Sequence, residues 1–194
     1  MNDPSPKPVE TNKFMDVHSN AIPGCYEIHP PVSNDERGSF VKTFNRESFI
    51  KHRLVTEWQE EYYTISRQGV LRGLHFQIPP RDHEKLVYCT DGGVVDVVVD
   101  LRVGSPTYGK HVMIELTADR ANMIYIPRGL AHGFYVTTQS ATMLYKVATQ
   151  YAQSHDTGIL WNSAGIDWPD GNPVLSSRDK SFPALSDFKS PFTF

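Results

Sequence analysis

Two histidine-centred segments hold the residue types that could move a proton. The first runs Gly69-Val70-Leu71-Arg72-Gly73-Leu74-His75-Phe76-Gln77, and His83-Glu84-Lys85 follow it after a proline turn. The second runs from Ile126 through Pro127-Arg128-Gly129-Leu130-Ala131-His132 to Phe134. A hydrogen on a carbon beside a ketone is weakly acidic, because its removal leaves an enolate. Taking it requires a base that titrates near neutrality, which histidine supplies. The enolate oxygen requires a cation or a hydrogen-bond donor. Inversion then requires an acid on the opposite face of the carbon. His75 could be the base, Lys85 the electrophile and Tyr145 the acid, with a carboxylate fixing the imidazole tautomer. Spacing alone does not join these residues, and a lone histidine on an apolar strand is more often a satisfied core residue.

The elements around them read as strands. His111, Met113 and Glu115 alternate with Val112, Ile114 and Leu116, the period of a half-buried strand. Leu86–Cys89, Gly93–Asp100, Met123–Ile126, Phe134–Thr137 and Ala141–Val147 read the same way, with turn signals such as Asp91-Gly92-Gly93 and Thr138-Gln139-Ser140 between them. A helix is expected after Asn45, a good N-cap, to about His52, and another short piece near Ser177 to Lys180. Many short strands at this spacing mean a sandwich or barrel. Within Gly93–Asp100, Val95, Val97 and Val99 share one face, while Asp96 and Asp100 share the other with Val94 and Val98. That second face is either a solvated exterior or a polar-lined barrel interior. Pro127-Arg128-Gly129-Leu130-Ala131-His132 matches the Pro-x-Gly-x-x-His turn of cupin barrels. Metal-binding cupins add a His-x-His pair. Here Gln77 stands at its second position, an amide that binds transition metals poorly, and the spacing of His83 and Glu84 does not replace it. No metal is expected.

Composition bounds the rest. The chain has 194 residues, 39% apolar and 21% charged, with a net charge of −3. That suits one folded domain, and the absence of a basic block argues against a nucleic-acid partner. Cys25 and Cys89 are too few for a disulfide framework and read as reduced thiols. No apolar run reaches signal-peptide or membrane-span length, so a cytoplasmic protein with no membrane partner is expected. Residues 1–20 read as a flexible N-terminal tail and residues 21–194 as a single domain.

The chain resembles the dTDP-4-dehydrorhamnose 3,5-epimerase family of cupin-type nucleotide-sugar epimerases. The resemblance rests on Asp35-Glu36-Arg37-Gly38, Val70 to Gln77, Val95 to Arg102, Ser105 to Gly109, Ile126 to Phe134, Leu144-Tyr145-Lys146, Gly158 to Asn162 and Leu175 to Asp179, in one order over about residues 21 to 187. It implies an all-β cupin jelly-roll barrel with a few short peripheral helices. It also implies a cofactor-independent epimerase that inverts carbon 3, carbon 5 or both in a nucleotide-linked 4-keto-6-deoxy sugar. By resemblance His75 is the base, Asp179 its orienting carboxylate, Lys85 the enolate-stabilising group and Tyr145 the acid. Arg37 and Arg72 match arginines that hold the diphosphate, and Asp96, His132 and Gln77 match polar groups of the substrate cavity. A homodimer is implied, with Arg37 reaching the neighbouring site.

Departures gather at the nucleotide end. The family commonly has a glutamate five residues after the first arginine, where this chain has Lys42, and a Gln-x-Asn stretch where it has Glu60-Glu61-Tyr62. Glu60, Tyr62 and Lys42 are therefore candidate base contacts, and the handle is dTDP, CDP or GDP. Two other classes compete: a metal-dependent cupin isomerase or dioxygenase, and a non-catalytic cupin that binds nucleotide sugars.

Overall fold

The computed structural model describes residues 15–194. Eleven strands form: β1 (Asp16–Ser19), β2 (Tyr26–His29), β3 (Val32–Asp35), β4 (Gly38–Val41), β5 (Glu60–Arg67), β6 (Leu71–Gln77), β7 (Lys85–Asp100), β8 (His111–Thr117), β9 (Met123–Ile126), β10 (Leu130–Val147) and β11 (Asp156–Gly158). Nine of them make one continuous sheet, ordered β1-β2-β9-β7-β10-β6-β11, with β5 on β10 and β8 on β7. Among the described residues, strands β3 and β4 pair only with each other. The architecture is the expected all-β cupin jelly roll.

Two long strands close the barrel. The first half of β7 pairs with β9 and its second half with β8. Likewise β10 pairs with β6 through its first half and with β5 through its second. Each long strand therefore serves both walls. The sequence presents their bends, Asp91-Gly92-Gly93 and Thr138-Gln139-Ser140, as turns, but the chain runs through both with a break in register. Gly92 allows the corner. Its φ is +74°, and a Cβ there would lie 1.9 Å from the Ser140 carbonyl oxygen.

The register break also switches which residues face inward. Val87 and Cys89 share the barrel interior with Val94 and Val98, and Ala141, Met143 and Tyr145 share it with Leu130, Phe134 and Val136. The outward faces are buried as well. Val97, Val99 and Leu101 pack under Ile159, Trp168 and Phe192 from the C-terminal segment. Leu86, Tyr88 and Tyr125 pack under Met15, Phe49 and Leu54. Phe49 comes from α1 (Arg46–Lys51), whose N-cap Asn45 accepts from the Ser48 amide as expected. The short piece near Ser177 to Lys180 is a 3₁₀ turn at Asp179–Ser181, and a second such turn follows at Leu185–Asp187.

The expected tail, residues 1–20, falls largely outside the described residues. Its described part is ordered on the sheet, since β1 pairs antiparallel with β2. Among the described residues no helix is long and apolar enough to cross a membrane. Cys25 and Cys89 are buried free thiols.

Candidate active site

Strands β5, β6, β7 and β10 each send inward-facing residues to one cavity of about 370 Å³. From β6 come Arg72, His75 and Gln77, from β7 Lys85, from β10 His132 and Tyr145, and from β5 Glu60, Tyr62 and Thr64. Strand β5 alternates as a half-buried strand should. Glu60, Tyr62 and Thr64 line the cavity, while Tyr63 and Ile65 are exposed on the other face.

Strand β6 does not alternate. Arg72 and His75 are three residues apart, so a regular strand would send them to opposite faces. The pairing of β6 with β10 slips there: His132 stands opposite His75, but Phe134 stands opposite Arg72. One extra residue of β6 is accommodated in a bulge at Gly73, and both side chains enter the cavity. Gly73 has φ +137°, and a Cβ on it would come within 2.6 Å of the Gly133 Cα.

Two histidine–carboxylate pairs stand side by side across this seam. His75 Nε2 lies 2.6 Å from Asp179 Oδ1. An ionised carboxylate only accepts, so the shared proton sits on Nε2 and leaves Nδ1 bare, as a base requires. Burial alone would raise the Asp179 carboxyl, but hydrogen bonds with His75 and Ser176 carry it below its usual range. His132 Nε2 lies 2.8 Å from Asp96 Oδ2, and both residues are buried. Full burial pushes the Asp96 carboxyl upward against the pull of His132 and Lys85. Asp96 Oδ1 is buried without a hydrogen-bond partner among protein atoms. The face of β7 that carries Asp96 is thus the barrel interior.

Lys85 is buried among these groups and donates a 3.4 Å hydrogen bond to the His75 carbonyl. Burial lowers its ammonium to about 8, with Asp156 and Asp96 pulling the other way. Tyr145 is buried and packs edge-on against His132, with ring centroids 6.1 Å apart. Burial pushes its phenol up, so the hydroxyl keeps its proton at neutral pH. Arg72 donates from Nε to Ser66 Oγ at 2.9 Å, which fixes the guanidinium in the wall.

Arg37 and Lys42 stand outside this cavity, and Gln77 lines it with its amide already bonded. Arg37 is exposed on the β3–β4 hairpin, where it pairs with Asp35 at 2.6 Å. Lys42 lines a separate surface depression with Pro31, Asn45 and Lys51. Neither is a cavity residue within this chain, because the hairpin forms a sheet of its own off the barrel. Gln77 lines the cavity, but its amide is committed to backbone. Nε2 donates to the Arg81 carbonyl at 2.8 Å, and Oε1 accepts from the Ala152 amide at 2.6 Å.

Several lining residues lay outside the sequence expectation: His83, Tyr151, Asp156 and Arg178. Arg178 pairs with Asp156 at 2.6 Å and immediately precedes Asp179, an adjacency that could have flagged it. Tyr151 is 60% exposed although its amide is tied to Glu60 Oε1 at 3.0 Å. His83 shares a 2.7 Å contact with the Thr149 hydroxyl, and burial, with Lys85 and Arg128 nearby, lowers its imidazole to about 3. Among the described residues no three His, Cys, Asp or Glu side chains converge as metal ligands would.

The sequence profile of dTDP-4-dehydrorhamnose 3,5-epimerase matches residues 19–187. The chain belongs to the dTDP-4-dehydrorhamnose 3,5-epimerase family. The enzyme of that name from Shigella flexneri is 42% identical over 85% of this chain and 93% of its own length. Among solved structures of the epimerase family, dTDP-6-deoxy-D-glucose-3,5-epimerase from Legionella pneumophila, in complex with dTDP-4-keto-L-rhamnose, superposes with a TM-score of 0.89. It shares 31% identity, and the match covers 93% of this chain and all of that one, 100%. NovW, a 4-keto-6-deoxy sugar epimerase from the novobiocin biosynthetic gene cluster of Streptomyces spheroides, gives a TM-score of 0.86. Its identity is 34%, over 89% of this chain and 88% of that one.

Proposed function

We propose that this epimerase inverts carbon 3, carbon 5 or both in a nucleoside-diphosphate-linked 4-keto-6-deoxy sugar, through an enolate. The observation that carries the reading is the convergence on one cavity of a carboxylate-oriented histidine, a buried lysine and a buried tyrosine. His75 takes the proton beside the ketone, and Asp179 holds the tautomer and stabilises the imidazolium that forms. Lys85 places positive charge at the keto oxygen where enolate charge develops, in a site shielded from water. Tyr145 returns a proton from the opposite face. Arg72 binds the diphosphate, for which a fixed guanidinium is well suited. His132 hydrogen-bonds the sugar, and Asp96, buried behind the cavity wall, holds the His132 ring.

The nucleotide end extends past Glu60, Tyr62 and Tyr151 at the cavity mouth, where an exposed aromatic ring offers a stacking surface for a base. The relatives' names point to dTDP, while Lys42 and Glu60-Glu61-Tyr62 depart from the family pattern and keep CDP and GDP in the test. Arg37 and Lys42 act in a homodimer, in which the β3–β4 hairpin of one protomer lies against the partner and carries them to its nucleotide. The protein works in the cytoplasm.

The test is incubation of chelator-treated protein with dTDP-, CDP- and GDP-linked 4-keto-6-deoxy sugars in heavy water. Deuterium at carbon 3, carbon 5 or both, with one nucleotide favoured, is the expected result. Nucleotide binding without any deuterium uptake would leave a sugar-binding cupin instead.

A further inference from the structure

Tyr62 and Tyr145 are register partners on β5 and β10 and face the same cavity. Their rings stack, with centroids 4.9 Å apart and planes 15° from parallel. The His132 ring makes a T-shaped contact with Tyr145, with centroids 6.1 Å apart. The Tyr145 ring therefore has two aromatic contacts, one stacked and one T-shaped. Tyr62 is itself 43% exposed at the mouth, so its ring is not needed to fill the core.

We propose that Tyr62 is a positioning residue for Tyr145, setting the phenol on the line along which the enolate is protonated. The inference rests on the proposed role of Tyr145 as the acid. Once His75 has taken the proton, the enolate carbon has two fates. Return of a proton from His75 on the same face restores the starting configuration. Donation from the Tyr145 hydroxyl on the opposite face inverts it, and the phenolate is then reprotonated by solvent. In heavy water His75 exchanges its proton, so the first fate gives deuterium without inversion and the second gives deuterium with inversion. The ratio of the two reports how well Tyr145 is aimed, independently of how fast His75 works.

The experiment compares wild type with Tyr62→Phe, Tyr62→Leu and Tyr62→Asn, measuring inverted product per deuterium incorporated and the affinity for the free nucleoside diphosphate. Tyr62→Phe keeps the stacked face and is expected to keep the wild-type ratio of inversion to exchange, whatever the lost hydroxyl does to nucleotide affinity. Tyr62→Leu and Tyr62→Asn are expected to lower inversion per exchange by about tenfold, from lost ring contact and misalignment. An unchanged ratio in both variants overturns the proposal. So does an unchanged ratio with weaker nucleotide binding, which would make Tyr62 a base contact only. Carbon-13 labelling of the tyrosine ring gives a second readout that does not need turnover. The Tyr145 ring signal should move in Tyr62→Leu and stay in place in Tyr62→Phe. If wild type exchanges nothing but that signal moves, the proposed reaction fails while the stack stands. If the signal does not move, the positioning role fails by itself.

Discussion

Arg72 and His75 lie three residues apart on one strand and both face the cavity, because a bulge at Gly73 slips β6 against β10 between them. The bulge sets the proposed diphosphate-binding group and the proposed base on one wall. It depends on two glycines. A Cβ at Gly73 would meet the Gly133 Cα at 2.6 Å, and one at Gly133 would meet the Arg72 carbonyl oxygen at 2.7 Å. Gly73→Ala and Gly133→Ala should each cost about 2–4 kcal/mol of stability, since backbone on the far side cannot yield. Thermal unfolding checks this. A melting temperature like that of wild type in either variant would show the seam to be looser than drawn.

His75→Asn and Asp179→Asn separate base from orienter. The first should lower deuterium exchange by at least about 10³-fold, and the second by about 10²–10⁴-fold, with nucleotide affinity kept in both. Asp179→Asn retains an oxygen near Nε2 but loses the charge that stabilises the imidazolium. Exchange at the wild-type rate in His75→Asn would remove His75 from the mechanism.

Lys85 predicts a trade between stability and rate. Its folded pKa of about 8 lies below the 10.5 of an unburied lysine. The unfolded chain therefore holds the proton more tightly, and stability rises with pH across that window. Below about 8 the full cost of the buried charge is present. Lys85→Met should then raise stability at pH 7 by about 1–3 kcal/mol while lowering the rate by about 10²-fold or more. Wild-type rate should fall as pH climbs through about 8 and Lys85 loses its charge. Denaturant melts at two pH values, with a pH–rate profile, test both halves.

Arg72→Ala should raise the KM for the nucleotide sugar by about 10–100-fold and change kcat less, because the diphosphate is remote from the reacting carbon. Arg72→Lys should recover part of that, since an ammonium keeps the charge but loses the guanidinium fork. An equal loss in kcat and kcat/KM would instead place Arg72 at the reaction itself.

Much of this protein followed from its residues alone. The alternating run at His111 to Leu116, the N-cap at Asn45 and the turn before His132 are local signals, because strand period, cap chemistry and Pro-Gly turns act over a few residues. His75, Lys85, Tyr145 and Asp179 could be named because residue type limits chemistry. Tertiary structure decided where they stand. Whether Asp96 faced water or a cavity depended on which side of β7 the barrel closed, a pairing between segments about 40 residues apart in sequence. The inward turn of both Arg72 and His75 came from a register slip that no local pattern encodes. The local β3–β4 hairpin set Arg37 off the barrel, whereas Gln77 was tied to the loop at Ala152 by a contact formed only when distant segments meet. The stack of Tyr62 on Tyr145 has the same origin. Residue type fixes what a side chain can do, and register between distant strands fixes what it is next to.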